Sequence, residues 1–523
     1  MKVSLINLNL VAEDAIGTCI INQVHFFRRR GDDVHVYVLH PPHNVPTDIE
    51  EVTSVVTLRE LIEGQEEHFR LSDLYIYHYP GRHALMESIR GIDRGTVIFY
   101  YHNVTPPELW GSDIGRDALM RDIEGSALVH YADLCITPSP FNKQDLVDRL
   151  GYAPDRICVL PLAVALEQFT PGDRDPKLVQ RYELEGQQVL LFVGRMAGNK
   201  RIDILIEALA RVKSQIPNTK LLLVGDDRSN PAFRPIVADA RARAAELGIA
   251  RDVIWTGRVD ELPPYFRLAD VYVTASLHEG FGQPLVEAMA CGVPVVAARA
   301  GAMPWVLGDA GLLCEPGSAD DLAEKVLTVL RDTGLRQTLI ERGLERVQAF
   351  SLERYEANLA EIVEKAVTHT LPEIPPEPVV EAGREAEIQP AAEAGEETQI
   401  QPPTEAGEEA QTQPAPVIPR DELVLSILSD EIMAQSDIAL RGYVVRSRVP
   451  LLGPFIAWVR RNLTSHLREP YLDPMIERQV ALNRRMAEWM QRAIALWTAS
   501  IQRQAELEAR VEALEAQIEA LSH

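Results

Sequence analysis

The stretch that most constrains this chain runs from Ala269 to Gly301, ADVYVTASLHEGFGQPLVEAMACGVPVVAARAG. Val271 to Thr274 is a β-branched and aromatic run, the composition of a buried strand. The run breaks into Leu277 to Gly282, where two glycines let the backbone turn tightly and approach a ligand. Pro284 stands at a first helical position, Leu285 to Cys291 reads as the helix, and Gly292 stops it. Val293 to Ala297 is the next strand. Strand, turn, helix and strand make a βαβ unit, which commits the chain to a parallel sheet whose ligand edge lies at the strands' carboxyl ends.

Backbone N–H groups from Gly280 to Gln283 would point off that helix N-terminus, a favoured place for a phosphate. Glu279 in the turn and Glu287 in the helix could accept hydrogen bonds from hydroxyl groups on either side of it. A nucleotide sugar fits such an arrangement. The spacing alone also suits one acid near a helix dipole and another on a solvated face. The whole run from Glu279 to Val296 resembles the signature of the retaining glycosyltransferases of family 4. That resemblance implies an α/β GT-B fold, two Rossmann-like domains facing a cleft. It also implies that Glu279 meets the donor sugar, that the backbone of Gly280, Phe281, Gly282 and Gln283 meets sugar and diphosphate, and that Glu287 holds the ribose hydroxyls.

Earlier segments extend the pattern. Lys2 to Leu8 is a first strand, followed by a loop from Asn9 to Gly17 and a helix over Thr18 to Arg30, ended by three arginines and Gly31. Val34 to Leu39 is the second strand. The family often carries two glycines in the first loop, near acceptor and donor phosphate; this chain has only Gly17 there. Leu74 to Tyr79 and Thr96 to Tyr101 are further strands. His102 follows the second, at the ligand edge, with an ordinary pKa suited to hydrogen bonding or proton work near neutrality. It resembles the family's N-domain histidine that reaches the donor sugar, and His78 is a rival for the same edge.

Ile157 to Ala163 and Phe169 to Pro171 resemble the family's passage between its halves, placing a hinge over Val164 to Lys177. Asp173-Arg174-Asp175 fits a D-x-D metal pattern, but it sits in this hinge and reads as a solvated charge cluster. No metal or cofactor is expected. In the second half, Val189 to Val193 is a strand whose turn carries Gly194, Arg195 and Lys200, before a helix over Arg201 to Ile216. Two cations on one turn can stabilise the charge on a departing diphosphate, and the turn matches the family's G-R-x-x-x-x-K. By the same resemblance, the backbone at Arg258 and Val259 lies near the nucleotide base. A run from Gly311 to Gly317 leads into a helix capped by Ser318, with Asp321 three residues on. Arg346 to Thr368 reads as a single last helix that crosses back to the first domain.

The chain's 523 residues call for two or three domains. The resulting plan is an acceptor domain over 1–165, a donor domain over 166–345 and the crossing helix over 346–368. A net charge of −25 argues against nucleic acid as a partner. Five scattered cysteines, without metal-ligand spacing, suit a reducing compartment. The first residues form a strand rather than a secretion signal. No apolar run reaches the roughly 18 residues of a membrane span, so a cytoplasmic location is expected, with a peripheral place on the inner membrane face as its variant.

Residues 369–420 are rich in proline and glutamate, with Glu-Ala-Gly recurring at Glu381, Glu393 and Glu405, and read as a disordered spacer. Residues 421–523 read as a helical module. Arginines over 441–468 surround an apolar run too short to span a bilayer, which suits either anionic lipid or a small packed core. Apolar residues over 486–521 follow a heptad, predicting a coiled coil and a homo-oligomer.

The function these readings predict is retaining transfer of a hexose from a UDP or GDP sugar to a glycan, lipid or other hydroxyl acceptor, with His102, Arg195, Lys200 and Glu279 at the reacting centre. The rivals are a GT-B sugar-nucleotide epimerase and an inactive scaffold working through its coiled-coil tail.

Overall fold

A computed structural model describes residues 1–368. The expected linker over 369–420, helical module over 421–523, basic surface over 441–468 and coiled coil over 486–521 lie outside the described residues.

The first half is a seven-stranded sheet, β1 (Lys2–Asn7), β2 (Asp33–Val38), β3 (Thr53–Val55), β4 (Leu74–Tyr79), β5 (Thr96–Tyr101), β6 (Leu134–Thr137) and β7 (Ile157–Val159). Its order is β3-β2-β1-β4-β5-β6-β7, with every pair parallel. The second half is a six-stranded sheet, β8 (Gln188–Val193), β9 (Thr219–Val224), β10 (Val253–Gly257), β11 (Val271–Thr274), β12 (Val295–Ala298) and β13 (Gly311–Cys314). Its order is β10-β9-β8-β11-β12-β13, again all parallel. Helices cover both faces of such sheets, so their central strands are buried on both sides and read as unbroken apolar runs. In β4 and β5 every residue is buried.

Each sheet reverses its order beside its first strand, between β1 and β4 and between β8 and β11. At those switch points neighbouring loops splay to opposite faces and leave a crevice at the carboxyl edge. The turn with Gly194, Arg195 and Lys200 follows β8, and the Glu279 turn follows β11. The two stretches therefore emerge side by side from hydrogen-bonded strands.

Three expected boundaries move. The first helix, α1, is Ala15–Arg29 rather than Thr18 to Arg30, because the Asp14 carboxylate caps it by accepting from the Gly17 N–H at 2.5 Å. Gly311 to Cys314, read as a lead-in to a helix, is the edge strand β13. The helix after it, α2 (Ala319–Arg331), starts where Ser318 accepts from the Asp321 N–H. The expected single helix over 346–368 is instead the end of α3 (Thr333–Arg346), a short 3-10 turn at Val347–Phe350, and α4 (Leu352–Val367). Ser351 caps α4 by accepting from the Arg354 N–H and starts a new axis.

That new axis carries α4 back onto the first sheet. The Tyr355 hydroxyl lies 3.2 Å from Cys19 Sγ and 2.9 Å from Gln23 Nε2 on α1, and Arg29 pairs with Glu356. Where the outgoing chain passes, the Val164 N–H donates to the Phe350 carbonyl at 2.9 Å. Within the Asp173-Arg174-Asp175 cluster Asp173 is exposed, while Arg174 holds Asp270 at 2.6 Å and Asp175 caps the helix Pro176–Arg181.

Candidate active site

The Glu279 turn is built by glycines. Gly282 adopts φ 89, a conformation that favours glycine, and serves as N-cap of the helix α5 (Gln283–Ala290), with Pro284 in its first turn. Phe281 is buried and packs edge-on against Phe350, its ring centroid 5.4 Å away. This anchors the turn from below while leaving Glu279 half-buried at the edge.

Lys200 reaches across from the β8 turn and places Nζ 2.5 Å from Glu279 Oε1. Arg195, on the same turn, is exposed and makes no ion pair among the described residues; its guanidinium lies 5.9 Å from the Trp110 ring centroid. A Cβ at Gly194 would meet the Phe192 ring at 3.1 Å, a tight approach that the ring would have to yield to. Glu287, one turn into α5, is 4% exposed, and its Oε1 accepts from Gln283 Nε2 at 2.8 Å. Burial raises its carboxyl to about 7. Such a group is poised to accept hydrogen bonds from a hydroxylated ligand that completes its solvation.

On the first domain, His102 departs from expectation. Its Nε2 lies 2.9 Å from His78 Nδ1, its ring stacks on Tyr100 at 4.3 Å, and its Nδ1 is enclosed without a partner. Desolvation pushes its pKa down to about 3. The ring is therefore a neutral hydrogen-bonding group rather than one that gains and loses a proton near neutrality. His78 is no rival for the edge: it is fully buried in β4, behind His102.

Gly17 has a packing role. A Cβ there would stand 1.8 Å from the Val11 carbonyl oxygen, and its own N–H is taken by Asp14. It lets α1 approach the Leu8–Asp14 loop closely. Arg258 is largely exposed at the end of β10 and faces Glu13 of that loop at 3.5 Å. Val259 packs partly buried on the core.

The two domains touch around these turns through residues that the sequence did not single out. Asn103 Oδ1 lies 3.0 Å from His278 Nε2, beside Glu279, and Asn103 Nδ2 donates to Asn142 Oδ1 at 2.8 Å. Ser139 Oγ donates to the Gly280 carbonyl at 2.7 Å. The Gly198 N–H, between Arg195 and Lys200, donates to the Trp110 carbonyl at 3.0 Å. The only sequence signal for Asn103 and His278 was adjacency to His102 and Glu279.

The arrangement sets two cations, two carboxylates and a helix N-terminus on the turns after β8 and β11 of the second sheet, with a neutral histidine at the carboxyl end of β5 in the first. Comparison with known proteins gives this chemistry a context. The model described as Glycosyltransferase Family 4 matches residues 16–168, and that described as Glycosyl transferases group 1 matches 187–332. The O-antigen chain mannosyltransferase B of Escherichia coli is 30% identical over 301 residues, covering 56% of this chain and 75% of that protein. A D-inositol 3-phosphate glycosyltransferase of Segniliparus rotundus is 31% identical over 363 residues, 62% of this chain and 78% of its own. The fold matches Anabaena Alr3699/HepE in complex with UDP-glucose at TM-score 0.57 and 21% identity, over 70% of this chain and 100% of that one. The residues of both halves, His102 in the first and Arg195, Lys200, Glu279 and Glu287 in the second, thus fall within matched sequence, and the chain belongs to the family 4 glycosyltransferases, enzymes of the GT-B fold.

Proposed function

We propose that this glycosyltransferase moves a hexose, with retention, from a UDP or GDP sugar to a hydroxyl of a glycan or lipid-linked acceptor, without a metal. The observation that carries this reading is the convergence of Arg195, Lys200, Glu279 and Glu287 at the ends of β8 and β11. In it, Glu287 accepts from the ribose hydroxyls, and the diphosphate lies against the Gly280–Gln283 N–H groups. Arg195 and Lys200 stabilise the charge that grows on the diphosphate as the sugar's bond to it breaks. Glu279 and His102 orient the sugar, and the acceptor oxygen joins the anomeric carbon on the face the diphosphate leaves, passing its proton to the departing phosphate oxygen. The hexose and the glycan acceptor are supported by a relative named as an O-antigen chain mannosyltransferase, and the UDP alternative by a structural neighbour solved with UDP-glucose.

The test is thermal unfolding of the full chain with UDP, GDP and ADP, beside a Glu287→Ala variant. A ligand at a hundred times its dissociation constant stabilises the folded state by about 2.7 kcal/mol. A rise in Tm with UDP or GDP, absent in the variant, is the expected result. No rise with any nucleotide overturns the reading.

A further inference from the structure

A chain of hydrogen bonds runs through the first domain from the crossing helix α4 to the cleft. Gln23 Nε2 lies 2.9 Å from the Tyr355 hydroxyl and 3.8 Å from Cys19 Sγ; Gln23 Oε1 lies 2.9 Å from His78 Nε2; His78 Nδ1 lies 2.9 Å from His102 Nε2. Gln23 and His78 are wholly buried, and Cys19 and Tyr355 nearly so. No water competes for these groups, so each donor has to face an acceptor.

That requirement fixes the direction of every bond. Both amide hydrogens of Gln23 have acceptors only when they face Tyr355 and Cys19. The Gln23 carbonyl then faces His78 and takes a hydrogen from its Nε2. The His78 Nδ1 lone pair takes a hydrogen from His102 Nε2. A neutral imidazole carries one hydrogen, so His102 is left with a bare Nδ1, the ring nitrogen that has no partner in the protein. Burial keeps both histidines neutral, with His78 well below its ordinary value and His102 lowered to about 3.

We propose that Gln23, His78 and Tyr355 are positioning residues that hold His102 as its Nε2–H tautomer, with Nδ1 bare, and so fix the ring that borders the donor sugar. The proposal rests on the transferase reading for what the ring contacts, but the tautomer stands on the geometry alone. It gives the crossing helix a second task besides joining the domains: its Tyr355 hydroxyl is one of the two acceptors that orient the Gln23 amide at the head of a buried relay ending at His102.

The experiment is two-bond 1H–15N correlation of the [15N]histidine-labelled full chain, which separates protonated from bare ring nitrogens, with His102→Gln to assign the signal. In the wild type His102 shows a protonated Nε2 and a bare Nδ1. In Gln23→Leu the anchor for His78 is gone and His102 populates both tautomers; Tyr355→Phe, a milder change, shifts it in the same direction. The same variants are titrated with UDP, GDP, UDP-glucose and GDP-mannose. Gln23→Leu weakens the nucleotide sugar about fivefold, as loss of one oriented hydrogen bond does, and leaves the bare nucleotide unchanged. A wild-type His102 protonated at Nδ1, or a single unaltered tautomer in both variants, overturns the proposal. If the wild type binds none of the four compounds, the donor reading fails, and the relay is then decided by the tautomer signal.

Discussion

Lys200 Nζ stands 2.5 Å from Glu279 Oε1, and the two residues arrive from the ends of neighbouring strands 79 positions apart in sequence. Their side chains are only 12% and 18% exposed. An ion pair so enclosed is held in one geometry, and removing one member strands the other charge where water reaches it poorly. Arg195, on the same turn, is exposed, so the two cations are separable by experiment.

Lys200→Ala is expected to lower both Tm and transfer, the latter about a hundredfold, the usual effect of deleting a group aimed at developing charge. Arg195→Ala is expected to lower transfer with Tm unchanged, because the folded protein does not depend on its contacts. Parallel melting curves and donor-turnover rates check this. A Tm loss in Arg195→Ala equal to that in Lys200→Ala would mean both cations are structural.

Glu287 makes stability depend on pH. Its folded-state pKa is raised from 4.5 to about 7. A group raised on folding contributes stability that is fully present below its unfolded value and lost as pH climbs through its folded value. The unliganded protein should therefore lose stability between about pH 4.5 and 7, where the unfolded chain releases this proton and the folded chain has yet to do so. Glu287→Gln removes the dependence. It should match the wild type near pH 4.5 and exceed it at pH 8, by an amount bounded at about 3 kcal/mol. The same variant should lose nucleotide affinity, an exchange of stability for function at one buried carboxylate. Tm measured across that pH range with and without UDP or GDP is the check.

Much of this was legible in the sequence, for a physical reason. Parallel strands buried on both faces are written as local apolar runs, and the Glu279 turn is bracketed by glycines and a proline whose backbone preferences are local too. What the sequence did not reveal lies in side-chain capping and in contacts between distant segments. Asp14 and Ser351 look like ordinary loop residues, yet they start α1 and α4. His78 and His102 both follow apolar strand sequence, and only the register of β4 on β5, with His78 beside Tyr100, shows one ring behind the other. Asn103 meets His278 across 175 positions of sequence.

Gly17→Ala tests the packing role of that glycine. The new Cβ would fall 1.8 Å from the Val11 carbonyl oxygen, part of the backbone, so the Leu8–Asp14 loop must move. Overpacking of this kind costs about 1–3 kcal/mol. A lower Tm in the absence of any nucleotide is expected. Unchanged Tm with weakened nucleotide binding would mean that Gly17 acts as a phosphate contact instead.

Gly280 and Asn103 test whether the domains meet in solution as they do here. A Cβ at Gly280 would lie 2.8 Å from Asn103 Cβ and 3.2 Å from Asn142 Nδ2, atoms of the facing domain. Asn103 itself holds φ 78, a conformation glycine adopts without strain. Gly280→Ala alone should push Asn103 off the Glu279 turn, lower Tm and weaken nucleotide-sugar binding. Asn103→Gly alone loses the hydrogen bonds to His278 and Asn142 but relieves a strained backbone, so its effect on Tm should be small. The double variant removes the clash, and its Tm should exceed the sum of the single effects by the equivalent of about 1 kcal/mol, the coupling expected of residues in contact. Additivity within about 0.5 kcal/mol would mean that Asn103 and Gly280 do not touch in solution. The closed cleft, with Asn103 and Ser139 holding the turn that carries Glu279, would then form only when the nucleotide sugar binds, and repeating the cycle with UDP-glucose or GDP-mannose present would recover the coupling.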